Sequence, residues 1–126
     1  ALNFGTPLVV VLGHSRCGAV KATVDALSGN SKIPTSALHS IVKRVRPAVE
    51  TLLVTELKDN PEELVKQAVR ANVRTSVEHL CSGSSTLEQL ISKGKLMVVG
   101  AECSLETGKV DFFYEDYWER IRNLDE

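Results

Sequence analysis

A histidine and a cysteine, His14 and Cys17, flank Ser15 and Arg16 directly after an apolar run, Pro7-Leu8-Val9-Val10-Val11-Leu12-Gly13. The run is β-branched, unbroken and ends in glycine, which predicts a short buried strand over Leu8–Leu12. The next stretch, Gly18 to Leu27, predicts a helix. The pair is then presented just past the carboxyl end of a strand, where open α/β sheets bind ligands. A histidine and a cysteine three positions apart on a turn can share one metal ion. Zinc is the usual choice for mixed nitrogen and sulfur ligation. Cys17 also opens a helix, where negative charge is favoured. Spacing alone leaves two other readings open. His14 and Cys17 can be a buried polar residue and a small core residue, or Cys17 can be a nucleophile activated by His14. The nucleophile reading lacks an evident third residue to orient the histidine.

Several elements must position this pair. The helix Gly18–Leu27 is apolar nearly all round and is expected to be buried. Gly29, Asn30 and Pro34 mark Ser28 to Ser36 as a loop. From Ala37 to about Leu53 an apolar stripe of Leu38, Ile41, Val42, Val45, Val49 and Leu52 predicts an amphipathic helix. Pro47 inside it predicts a kink or two consecutive helices. Asn60-Pro61-Glu62-Glu63 is a strong helix start, with Asn60 as the cap, Pro61 in the first position and carboxylates in the first turn. That helix should run to about Leu80, with Leu64, Val65, Ala68, Val69, Val73, Val77 and Leu80 facing inward. Ser85-Thr86-Leu87-Glu88 fits a capping box for a short helix that Gly94 ends. Leu96–Ala101 predicts a second buried strand. Glu106-Thr107-Gly108-Lys109 is a turn, and Val110–Tyr114 a third strand antiparallel to the second. Tyr117, Trp118, Ile121 and Leu124 recur at helical spacing in the tail, as a packing or dimer contact with Tyr114. The order is that of an α/β protein, with a partly parallel sheet flanked by helices and an antiparallel last strand.

Charge and length narrow the function further. Fifteen Lys and Arg offset sixteen Asp and Glu in 126 residues, which argues against nucleic acid or an anionic membrane as the main partner. No apolar run has the length of a membrane span. The length suits one domain, residues 1–126. Three cysteines, Cys17, Cys81 and Cys103, make no disulfide framework. A reducing compartment is expected, cytoplasmic or an organelle interior, with Cys81 and Cys103 as buried free thiols. His39 is expected to be partly buried or interfacial, and His79 to complement a helix C-terminus. Lys43-Arg44-Val45-Arg46 reads as a solvated helix face or a subunit contact. Three strands are few for so much helix, and the chain enters a strand almost at once without an initiator methionine. The sheet is therefore expected to be incomplete at its N-terminal side.

The stretch Val9-Val10-Val11-Leu12-Gly13-His14-Ser15-Arg16-Cys17-Gly18-Ala19-Val20 resembles the β-class carbonic anhydrases. So does Leu96-Met97-Val98-Val99-Gly100-Ala101 followed by Thr107-Gly108-Lys109-Val110. The likeness covers essentially the whole chain, as the carboxyl-terminal portion of such a domain. It implies a lyase that reversibly hydrates carbon dioxide to bicarbonate by attack of zinc-bound hydroxide. It also implies that His14 and Cys17 are metal ligands and that the Gly18 amide faces substrate, where a glycine lets small molecules approach the backbone. A homodimer or higher homo-oligomer is implied as well.

The family's remaining zinc ligand is a cysteine in a Cys-x-Asp-x-Arg segment, which none of Cys17, Cys81 or Cys103 begins. The family's catalytic Asp–Arg pair is absent with it. Where many relatives carry Tyr-Asp after the second strand, Cys103 and Ser104 stand here. Zinc would supply hydroxide at neutral pH. Two thiolate ligands weaken that acidity, so hydrogen bonds around the ligands matter more, with Arg16 and the Gly18 and Ala19 amides as candidates. The 126 residues alone would bind zinc weakly or not at all and lack activity. The alternative is a non-catalytic relative or fragment that keeps the fold and an assembly surface.

Overall fold

Helix α3, Pro61–Ser82, starts where its sequence signals say it should. Asn60 Oδ1 accepts from the Glu63 N–H at 3.3 Å, and Pro61 occupies the first turn, whose N–H groups need no intrahelical partner. Its length lets it serve two cores. The N-terminal half brings Leu64, Ala68 and Val69 to Val20 and Val24 of α1 (Gly18–Leu27) and to Val45 and Val49 of α2 (Ser36–Leu53). The C-terminal half brings Val73, Val77 and Cys81 to Ile91 of α4 (Ser85–Ser92) and to Leu96 and Val98 beside and within the sheet. The computed structural model describes residues 7–29 and 36–114. Tyr117, Trp118, Ile121 and Leu124, and most of the loop before α2, lie outside the described residues.

The sheet has three strands in the order β1-β2-β3, namely Leu8–His14, Met97–Cys103 and Val110–Tyr114. β1 and β2 are parallel from Leu8 opposite Met97 to His14 opposite Cys103, and β2 and β3 are antiparallel. This is the expected partly parallel α/β sheet with an antiparallel last strand. Side chains alternate between faces. Val11, Gly13, Val98 and Gly100 therefore look toward α3, whereas Leu8, Leu12 and His14 look the other way.

Close approach of α3 to the sheet needs the two glycines. A Cβ at Gly13 would stand 2.7 Å from a Val73 methyl, and one at Gly100 would stand 2.8 Å from the other Val73 methyl and 3.2 Å from Tyr114 Cβ. The β2–β3 register slips between Gly100 and Ala101. The extra residue on β3 lets both Phe113 and Tyr114 reach α3. Tyr114 donates to Glu78 at 3.1 Å, and the Arg70 and Arg74 guanidiniums lie 4.7 Å and 5.2 Å from the Phe113 ring centre. Arg70 also bonds Glu102 of β2 and Asp111 of β3, each at 2.8 Å. The Glu102 bond is the main reason that the Arg70 pKa is raised, and burial opposes it.

Several expectations need correction. β1 is not buried: it is an edge strand among the described residues, and Leu8 and Leu12 are 52% and 57% exposed. Apolar β-branched composition signals a strand but cannot say how many sides are covered. Helix α2 runs unbroken through Pro47, so of the two alternatives expected there, a kink or two consecutive helices, the pair of helices is not formed. Ile41 and Leu80 are exposed at the margins of their stripes, and His39 is exposed on α2. Helix α1 is buried only along Val20, Thr23 and Val24. Ser84, not Ser85, caps α4, because Ser84 has the extended backbone of a cap and accepts from the Leu87 N–H. Cys81 is buried as expected, but Cys103 is only half-buried at the end of its strand. A short 3₁₀ turn, Glu56–Asp59, was not expected; Thr55 caps it.

Two outcomes follow. Gly100→Ala should cost about 1–3 kcal/mol, the usual price of overpacking against stiff valines, read from the urea midpoint; a wild-type midpoint would remove the close-approach account. Arg70→Met should cost about 1–2 kcal/mol, between exposed and buried ion pairs, because it strands Glu102, whose side chain is 16% exposed. Adding Glu102→Gln should recover part of that loss. If the double variant is less stable than Arg70→Met alone, the stranded charge is not the cause.

Candidate functional site

His14 is the last residue of β1, and Cys17 is the N-cap of α1. The structure thus brings them to the two ends of one tight turn at the carboxyl edge of the parallel strands. His14 Nδ1 lies 2.8 Å from the Ser15 carbonyl oxygen. A carbonyl only accepts, so Nδ1 carries the proton in this contact and Nε2 keeps a lone pair for a ligand. Cys17 is half-buried, makes no side-chain cap bond and packs against the core of α1, α2 and α3. The next residue, Gly18, is exposed, and a Cβ built on it meets nothing within 4 Å. Its N–H belongs to the first turn of α1, where amides have no helical partner.

Between His14 and Cys17 the chain makes an unusual turn. Arg16 has φ +56°, the left-handed region that an arginine enters at a cost. Its side chain does not turn toward Cys17; Arg16 Nε lies 2.7 Å from Glu106 Oε1. Ser15 Oγ donates to Glu106 Oε2 at 2.9 Å, and Ser104 Oγ donates to the same oxygen at 3.0 Å. The Leu105 N–H donates to Ser15 Oγ at 2.8 Å, and the Ser15 N–H donates to the Cys103 carbonyl at 2.9 Å. The Glu106 carboxyl is held below the ordinary glutamate range, first by its own backbone N–H, then by the Ser15 and Ser104 hydroxyls, with Arg16 adding to them. A cavity of about 740 Å³ opens beside this turn, between α1 and α3, with Arg16, Lys21, Lys66 and Glu106 in its wall.

In donor type and tautomer His14 and Cys17 suit zinc as two ligands of a set. Among the described residues no group of three His, Cys, Asp or Glu side chains is placed to hold a metal ion. Cys81 is buried in the second core under α4, and Cys103 stands beside His14 in the strand register without closing a third position. Sequence reasoning missed Glu106. Its only local signal was an acidic residue in a polar turn, and its partner Ser15 is 91 positions away. No helix among the described residues is long and apolar enough to cross a membrane.

Comparison with known proteins identifies the family and the fold. The family profile described as carbonic anhydrase matches residues 2–110. A carbonic anhydrase of Mycolicibacterium smegmatis is 33% identical over 105 residues, covering 83% of this chain and 48% of that protein. The chain therefore spans about half the length of the curated relatives it matches. The β-carbonic anhydrase CafA of Aspergillus fumigatus superposes with a TM-score of 0.69 at 23% identity, over 92% of this chain and 53% of that one. The tetrameric β-carbonic anhydrases of Sordaria macrospora superpose with a TM-score of 0.67 at 20% identity, over 84% and 51%. By sequence the chain belongs to the carbonic anhydrase family, and its fold is that of the β-class carbonic anhydrase structures.

Proposed function

We propose that this chain contributes to the reversible hydration of carbon dioxide to bicarbonate, with His14 and Cys17 as two protein ligands of a zinc ion and Gly18 beside the substrate. The observation that carries the reading is the turn itself. In a chain of this family, a histidine with Nε2 available and a cysteine without a cap bond end and begin adjacent elements. The third protein ligand is a cysteine from outside these 126 residues. Zinc, when bound, supplies the Lewis acidity that makes hydroxide available at neutral pH.

The chain's own residues bind and orient. The Ser15 carbonyl keeps His14 in one tautomer and fixes its ring direction. The first N–H groups of α1 offer donors to an anionic oxygen of bicarbonate. Gly18 leaves open the space through which a small substrate reaches them. Residues 1–126 act as one domain, the carboxyl-terminal portion of the catalytic unit, and the protein assembles as a homodimer or larger oligomer. A sparse, odd-numbered set of three cysteines suits a reducing compartment, the cytoplasm or an organelle interior.

A second reading has one observation in its favour. The described residues do not complete a metal set, as expected of a non-catalytic relative that keeps the fold and an assembly surface. Zinc content and stopped-flow hydration, measured together on the protein isolated from its own cells, separate the two. Stoichiometric zinc and hydration well above background support the enzyme; background hydration, with or without zinc, supports the second reading. A His14→Ala form that retains zinc and full activity overturns the ligand assignment. Gly18→Ala should leave the thermal midpoint unchanged, since its Cβ meets open space. The same substitution should lower kcat/KM by about tenfold or more through misplaced substrate. Unchanged kcat/KM would remove Gly18 from the site.

A further inference from the structure

The two residues between the proposed donors are both held by one carboxylate from a distant turn. Glu106 takes the Arg16 guanidinium on one oxygen and the Ser15 hydroxyl on the other. Ser15 cannot rotate away freely, because its oxygen also accepts the Leu105 N–H. Glu106 itself stands on a fixed base. Its turn is closed by the Ser104 N–H to the Lys109 carbonyl at 2.8 Å and by the Gly108 N–H to the Ser104 carbonyl at 2.7 Å. Gly108 takes the left-handed conformation, φ +74°, at no steric cost.

We infer that Glu106 is the positioning residue of the His14–Cys17 turn, holding Ser15 and the left-handed Arg16 so that the two donors face one metal ion. The inference rests on the reading of His14 and Cys17 as metal donors. Exposure decides what kind of effect to expect. The Arg16 side chain is 78% exposed and that of Glu106 43%, so the ion pair adds little to global stability. Its consequence is local. Without the carboxylate, the strained Arg16 backbone loses its side-chain anchor while the Ser15 N–H bond to Cys103 remains, and the angle between the end of β1 and the start of α1 is freer to change. Residues that orient metal ligands through hydrogen bonds typically change metal affinity by about 10–100-fold when removed.

The test compares the intact protein, which includes the third ligand proposed above, with its Glu106→Ala and Glu106→Gln variants. Amide hydrogen exchange is followed at Ser15, Arg16 and Cys17, with Val69 and Val98 as core references. Zinc affinity is measured in parallel by competition with a chromophoric chelator. In Glu106→Ala, exchange at the turn should rise about tenfold or more while the core references stay unchanged. Zinc affinity should fall about tenfold or more. Glu106→Gln should lie between, since its amide oxygen still accepts from a serine but no longer pairs with Arg16. Adding Arg16→Gly to Glu106→Ala should restore part of the affinity, because glycine needs no help in the left-handed region.

Unchanged turn exchange in Glu106→Ala overturns the inference. So does faster exchange with unaltered zinc affinity, in a protein whose affinity does fall with His14→Ala. An intact protein that binds no zinc, or whose affinity ignores His14→Ala, overturns the donor reading instead, and exchange alone then decides whether Glu106 holds the turn.

Discussion

Helix α3 lies on the sheet at Gly13 and Gly100 because neither strand raises a Cβ there. Val73 sets the spacing: its two methyls occupy the places where those Cβ atoms would be. Valine is stiff at χ1, so the contact has little room to adjust. Everything at the carboxyl edge of the sheet inherits this spacing. Gly13 directly precedes His14, and Gly100 is followed within three residues by Cys103, whose carbonyl receives the Ser15 N–H. A shift of α3 would therefore move both sides of the turn that carries His14 and Cys17.

The same helix joins two cores that would otherwise be separate. Cys17 packs against the first, built from α1, α2 and the start of α3. The strand that ends in His14 is held against the second, built from the rest of α3, α4 and β2. The relative placement of histidine and cysteine is thus a property of α3 as much as of the four residues of the motif. The Arg70 bridge to Glu102 and Asp111 strengthens this arrangement on the other side, since it ties α3 to β2 and β3 one residue before Cys103.

Much of this was legible locally. The strand before the motif, the Asn60-Pro61 helix start, the Gly94 stop and the antiparallel last strand all follow from residue types at fixed short spacings. So did the placement of His14 and Cys17 at a strand end and a helix start. What was not legible depended on tertiary context. The burial of β1 depends on how many neighbours flank it, which its own valines do not encode. Pro47 stays inside α2, where its neighbours Val45, Ala48 and Val49 are buried; that packing offsets the lost backbone bond. The choice of Ser84 over Ser85 turned on a backbone conformation, since either serine could supply the oxygen.

Glu106 shows where local reading stops. The residues between His14 and Cys17, Ser15 and Arg16, carry a hydroxyl and a guanidinium, and both groups suit a carboxylate. Nothing nearby in sequence supplies one, and the parallel pairing of β1 with β2 brings it. In a parallel pair the carboxyl ends of both strands lie at the same edge, so the turn after β1 and the turn after β2 must be neighbours. An acid in the second turn can then reach polar residues in the first. The left-handed Arg16 directs its side chain to that acid, while His14 and Cys17 stand at the two ends of the reversal. The interval of two residues is long enough to reverse the chain from strand to helix, and both of those residues are spent on the contact with Glu106.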